Sequence, residues 1–212
     1  EYDYNFPIKN PEEVRAILDA DTSIKSYVER SVFSGMVSTA RDQSLALVFG
    51  VDTLQELSLA SISSMIIEGE MVQGKRAPSL LIGKAMAEQL NLKIGSKLNV
   101  QGGLLHGVKS FVGKVRGIYE SPNKLKDKVV IYVHKSDIEK KLGDGFVHEY
   151  AIIFKEFDSL EARTAFLKSQ LADLDVLSWG ALMPEIKEGI AITDAVMSVI
   201  MIIIWFALAL GI

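Results

Sequence analysis

The chain has 212 residues, with 23 Lys and Arg against 27 Asp and Glu, a net charge of -4, and no cysteine. That balance leaves no basic footprint for nucleic acid, and the missing thiols exclude disulfides, zinc ribbons and cysteine nucleophiles together. Its length suits one large domain or two small ones.

In chain order, Tyr2, Tyr4, Phe6 and Ile8 alternate with polar residues and predict a half-buried strand. Asn10, Pro11 and Glu13 then read as N-cap, first helical position and capping box for a helix carrying Val14, Ile17 and Leu18. Two strands are predicted around Ser26 to Val37 and Ser44 to Val51, joined by a polar turn, so the first part reads β-α-β-β. The segment Gly69 to Pro78 reads as a polar turn, and a helix is predicted from about Ser79 to Leu90. A strand over Lys97 to Gln101 leads into Gly102-Gly103, the start of a loop, and Phe111, Val115 and Tyr119 lie along the next strand, where Gly113 and Gly117 mark bends or close approach. The middle is therefore expected to be a small glycine-rich β unit.

The third portion returns to the first pattern. Val129 to Val133 predicts a strand covered on both faces, Ser136 caps a helix ending near Gly143, and Tyr150 to Phe154 is a further strand. Asp158 and Glu161 make a second capping box for a helix bearing Leu160, Leu167 and Leu171, and Asp175 to Trp179 is predicted as a last strand. The fold class is α+β.

From Ala195 to Ile212 the chain carries no charge, directly after Glu185, Lys187, Glu188 and Asp194. An apolar run of this length reaches the threshold of a membrane span, and with Ser198 as its one polar residue it offers no face to water. Residues Ala195, Val196, Ile200, Ile203, Trp205 and Leu208 are assigned to this membrane helix. The opening EYDYNFPIKN has neither Met nor a basic, apolar leader. The chain thus reads as an extramembrane domain cut from a membrane protein.

The catalytic motifs fail on their own chemistry. Gly69 to Lys75 matches the start of a phosphate loop, but Arg76 replaces the hydroxyl that must hold Mg²⁺ and Pro78 follows where the helix should run. Ser121-Pro122-Asn123-Lys124 fits S-x-x-K without its companion motifs, and a proline-containing turn explains it better. His106, His134 and His148 form no metal or catalytic pair. No catalytic, cofactor-binding or metal residue is assigned. The segment Gly102, Gly103, Leu104, Leu105 and His106 is the candidate partner or substrate contact, because adjacent leucines are unusual in a turn. The other reading folds the two leucines back onto the small β core.

The order Phe49-Gly50-Val51-Asp52, Glu68-Gly69, Leu81-Ile82-Gly83-Lys84-Ala85-Met86-Ala87, Leu90, Leu92, Gly95, Leu98 and Val115-Arg116-Gly117-Ile118 resembles the extracytoplasmic core domain of MacB- and LolC/LolE-type ABC transporter permeases. Ser178-Trp179, Pro184 and the apolar run look like the stalk into the second membrane helix of those FtsX-like permeases, while Ser96 departs from the acidic residue common after the glycine. The resemblance implies a Porter-like α+β subdomain from 1-68 and 128-180, an inserted β-rich Sabre-like subdomain at 69-127, and a stalk with a truncated membrane helix at 181-212. It also implies a bacterial inner membrane location with the domain on the periplasmic or extracellular side. No chemistry is implied in this chain: a cytoplasmic ABC ATPase subunit or domain hydrolyses ATP. The implied partners are that ATPase, a second permease copy or paralogue, the membrane, and a periplasmic carrier or adaptor protein. The cargo class is lipoprotein, lipid, peptide or drug. An extracytoplasmic ligand-sensing domain of a membrane receptor is the alternative.

Overall fold

The computed structural model describes residues 7-58, 62-74, 77-104, 107-142, 147-157 and 160-209. By internal contacts the chain forms two units, Glu1–Lys155 and Glu156–Ile212.

In the first unit, helix α1 (Pro11–Ala20) precedes the long strand β1 (Ile24–Ser38) and β2 (Gln43–Val51). Helix α2 (Thr53–Ser58), a 3₁₀ turn at Ser63–Met65 and β3 (Ile66–Gly69) follow, then β4 (Ser79–Gly83), α3 (Lys84–Gln89), β5 (Lys97–Leu104) and β6 (Gly107–Tyr119). Helix α4 (Lys124–Val129), β7 (Val130–His134), α5 (Lys135–Leu142) and β8 (Glu149–Phe154) complete it. All eight strands belong to one mixed sheet: seven follow the order β2-β7-β4-β6-β5-β1-β8, β3 pairs with β6 off this path, and β1 also pairs with β2. That last pairing closes β1, β2, β7, β4, β6 and β5 into a ring.

Closure needs two backbones to pass closely, and glycine supplies the room. A Cβ on Gly35 would lie 2.2 Å from the Gln101 carbonyl oxygen, and one on Gly102 would lie 2.5 Å from the Phe33 ring. Inside the ring, Val37, Val48, Leu80, Ile82, Leu98, Val100, Phe111, Val115, Ile131 and Val133 form the main core. Met86 and Leu90 join it from α3 and its end, and Ile138 joins it from α5. Because β4 and β7 are antiparallel, the helices that follow them enter from opposite ends. A second core on the other sheet face gathers Val51, Val72, Leu81, Tyr119, Val130 and Tyr132.

Several expectations change. Ser79 to Leu90 is not one helix: all five residues of Ser79–Gly83 are buried in a strand between β6 and β7, and only Lys84–Gln89 is helical. A short apolar run covered on both faces carries no period that separates strand from helix. Gly102 and Gly103 belong to β5 and do not open a loop. The segment after Gly69 is not a plain surface turn, since Met71 and Val72 are buried. Asn10 makes no capping bond to the backbone; its amide donates to the Glu13 carboxylate at 3.3 Å. Ser136 lies within the first turn of α5, which begins at Lys135. The strand predicted near Tyr2 and the cap at Asp158 fall largely outside the described residues.

The second unit contains α6 (Leu160–Gln170), α7 (Trp179–Leu182) and α8 (Pro184–Ala209). Asp175 to Trp179 forms no strand; among the described residues it has no ladder partner, and the Ser178 carbonyl instead accepts from Ala181 and Leu182 N–H groups at 3.0 and 3.1 Å. Phe157 and Trp179 stack with ring centroids 6.1 Å apart, and Lys187 Nζ donates to Glu161 Oε1 at 2.9 Å. Helix α8 spans 26 residues, about 39 Å at the rise of an α-helix. It runs unbroken through the junction between charged and apolar sequence.

Candidate functional site

Helix α8 is long and apolar enough to cross a membrane by length and composition. Its most apolar window has a mean hydropathy of 2.3 with none of it buried. Ala195, Val196, Ile200, Ile203, Trp205 and Leu208 all stand exposed, Trp205 and Leu208 at 70% each. The two hydroxyls near the boundary are satisfied within the helix: Thr193 Oγ1 donates to the Gly189 carbonyl at 2.9 Å and Ser198 Oγ to the Asp194 carbonyl at 2.8 Å. Such back-bonding removes the cost of carrying a hydroxyl into hydrocarbon.

The β5-β6 hairpin carries the other predicted contact. Gly102 is buried against Phe33, Gly103 pairs with Val108 and Leu104 with Gly107. Leu105 and His106 lie outside the described residues. The described strands therefore approach as a hairpin up to its last rung.

Charged side chains concentrate on two adjacent residues of β1. Arg30 forms a bidentate pair with buried Glu56 from α2, Nε to Oε2 at 3.1 Å and Nη2 to Oε1 at 2.6 Å, and its Nη1 reaches Glu149 of β8 at 3.0 Å. On the opposite face, Glu29 accepts from Lys135 Nζ at 3.0 Å and from the Arg15 guanidinium, including Nη2 at 3.1 Å. Burial pushes the Glu29 carboxyl up, but the bonds from Arg15 and Lys135 outweigh it and hold it below its ordinary value. Arg30 loses hydration on burial, which favours the neutral form, yet Glu56 and Glu149 keep it firmly charged. These pairs tie α1 and α5 to one face of β1 and α2 to the other, and the Arg30–Glu149 pair braces β8 beside it in the sheet, which is a structural role. The sequence reading missed them, although two adjacent opposite charges inside a long strand were the available signal.

The remaining motifs resolve into structure. Ser121 is buried and its Oγ donates to Asp127 Oδ1 at 2.6 Å, while Asn123 caps α4 by accepting from Leu125 and Lys126 N–H groups. His148 Nδ1 accepts from the Val32 N–H at 3.2 Å, and His134 Nδ1 lies 2.9 Å from Ser136 Oγ. His106 is outside the described residues. A shallow cleft of about 150 Å³ between Lys84, Glu88, Glu120, Lys124 and Asp127 is crossed by the Lys84–Glu120 ion pair. Its volume is well below the roughly 300 Å³ at which small-molecule pockets begin.

No family model and no curated protein matches the chain. Its structure is similar to the extracellular domain of the ABC-type transporter YknZ from Gram-positive bacteria, with TM-score 0.55, 15% identity, and coverage of 80% of this chain and 86% of that one. It is also similar to the periplasmic region of MacB from Actinobacillus actinomycetemcomitans, with TM-score 0.50, 12% identity, and coverage of 78% and 75%. The fold is that of the MacB-like extracytoplasmic domain. Within this MacB-like fold, the closed ring and the apolar α8 are the two features that a functional account must use.

Proposed function

We propose that this chain is the extracytoplasmic domain of an ABC-type transporter permease of the MacB/YknZ kind, held by α8 in a bacterial cell membrane. It couples ATP hydrolysis by a cytoplasmic ABC ATPase subunit or domain to export or release of a lipoprotein, lipid, peptide or drug. The observation that carries this reading is the MacB-like fold followed directly by a continuous apolar helix. A helix unbroken by proline from Glu185 onward carries a displacement rigidly across the membrane boundary. The domain itself is non-enzymatic; it transmits motion and contacts partners. In this reading 1-68 and 128-180 act as the Porter-like part and 69-127 as a Sabre-like part that shares its sheet. A second permease copy or paralogue completes the transporter, and a periplasmic carrier or adaptor meets the segment 102-106.

The test is purification of the full-length parent protein from its native membranes in mild detergent. An ABC-type ATPase, fused or as a subunit, is expected to accompany it with vanadate-sensitive ATP hydrolysis. Recovery of a membrane protein with neither overturns the reading.

A further inference from the structure

The outer face of the ring carries an uncharged patch whose composition no core explains. Strand register sets two complete rungs side by side across four strands: Leu45, Met36, Gln101 and Ser110 on one, and Gln43, Ser38, Asn99 and Val112 on the next. On the rung before them Leu47 packs against the second core, which bounds the patch on that side, and Ser34 stands exposed. The residues of the two complete rungs alternate with the buried Val37, Ala46, Val100 and Phe111, so they point away from the interior. Leu45 is 71% exposed, Val112 56% and Met36 37%. None carries a charge, in a chain whose residues are 24% charged, and charge begins again at the next rung with Lys97 and Lys114.

Depletion of charge, more than hydrophobicity, marks the centre of a protein contact. The polar members are amides and hydroxyls, which donate and accept alike, so each is able to bond its own counterpart. Lysine and glutamate lack that property. The chain carries a net charge of -4, so two copies repel except across a neutral face. We infer that this face of β2, β1, β5 and β6 is where two copies of the chain meet sheet to sheet about a two-fold axis. The inference rests on the proposed pairing of permease copies and assigns the surface. Strand spacing and rise give the patch roughly 300 Å², so two copies bury roughly 600 Å², below the roughly 1,200 Å² of a stable free interface. The contact therefore forms between copies already concentrated in one membrane by α8.

The natural absence of cysteine allows a direct test with the 212-residue chain in lipid nanodiscs. Single cysteines are placed at Asn99 in the patch, at exposed Lys25 outside it, and at Ser198 in α8. Each variant is treated with a bis-maleimide of about 10 Å reach, the spacing of stacked sheets. Asn99→Cys is expected to cross-link at least ten-fold faster than Lys25→Cys. Adding Leu45→Lys and Val112→Lys is expected to abolish that advantage while leaving thermal unfolding unchanged, because both positions are exposed. If Ser198→Cys links and Asn99→Cys is no faster than Lys25→Cys, the copies pair but not through this face, and the inference falls while the permease reading stands. If neither Asn99→Cys nor Ser198→Cys links, pairing fails and the face falls with it. An advantage that survives the two lysines also overturns the assignment.

Discussion

In the ring, Val32, Val37, Val48, Leu80, Leu81 and Ile82 are fully buried, whereas in α8 Ile200, Ile203 and Leu208 stand 43%, 61% and 70% exposed. Side chains of the same kind are thus used in opposite ways. Each fully buried Val, Leu or Ile in the ring contributes about 1.5–3 kcal/mol by leaving water. The same groups on α8 gain nothing until an apolar surrounding replaces water. Charge follows the same division: the ring buries Glu29 and Glu56 and answers each with cations, while α8 loses charge altogether after Asp194. The ring is built to be self-sufficient and the helix to depend on its solvent.

The sharpest way to break this comparison is to remove one partner of a buried pair. Arg30→Met leaves Glu56 buried without its guanidinium, and a loss of about 3–5 kcal/mol is expected in urea unfolding of the domain. Arg30→Met with Glu56→Leu should recover most of it, since a hydrophobic replacement of the whole pair is often neutral or better. If the double variant is as unstable as the single one, burial of unpaired charge is not the cause. Leu80→Ala should cost about 2–5 kcal/mol through the cavity it opens, whereas Leu208→Ala should leave the unfolding of the ring unchanged. Equal effects at the two positions would erase the distinction between the regions.

The helix has its own test. Ile203→Lys is expected to make membrane insertion about 2.5–3.5 kcal/mol less favourable in a glycosylation-mapping assay, with the thermal midpoint of the ring unmoved. Failure of the unmodified helix to insert in the same assay would show that α8 does not span.

Much of this division was legible in the sequence, and the part that was not has a physical reason. The alternation in Leu45, Leu47, Phe49 and Val51 gave β2, and the charge-free tail gave α8. Burial on both faces hid β4, because Ser79–Gly83 shows no alternation. The ring itself was hidden because its closure depends on β1 meeting β5 and β4 meeting β7, pairings between distant segments that no local window contains. Of the candidate sites, the apolar helix α8 stood out by composition alone. The uncharged face did not, since its members come from four strands and share a surface only once the register is known.

Acidification distinguishes the two regions more gently. The Glu29 carboxyl is held below the ordinary value of about 4.3 by Arg15 and Lys135 against the opposing effect of burial. The unfolded chain therefore binds the proton first, so this contribution is fully present above about pH 5 and is lost as pH falls through the folded value. Urea midpoints measured between pH 7 and pH 3 should fall more steeply for the wild type than for Glu29→Gln. Parallel slopes would mean the pair contributes nothing to pH dependence.

The smallest effect is expected at the hairpin. Gly102 is fixed by its approach to Phe33, and among the described residues the strand pairing runs to Leu104 opposite Gly107. If Leu104 and Leu105 are surface residues, changing both to Ser should move stability by no more than about 0.5 kcal/mol, while binding of a carrier or adaptor, or transport itself, drops. If the same change costs several kcal/mol, as large-to-small changes in a core do at about 2–5 kcal/mol each, the leucines complete the apolar interior and the contact site lies elsewhere. Thermal unfolding and partner pull-down on the same double variant separate the two, because a core residue moves the first and a contact residue only the second.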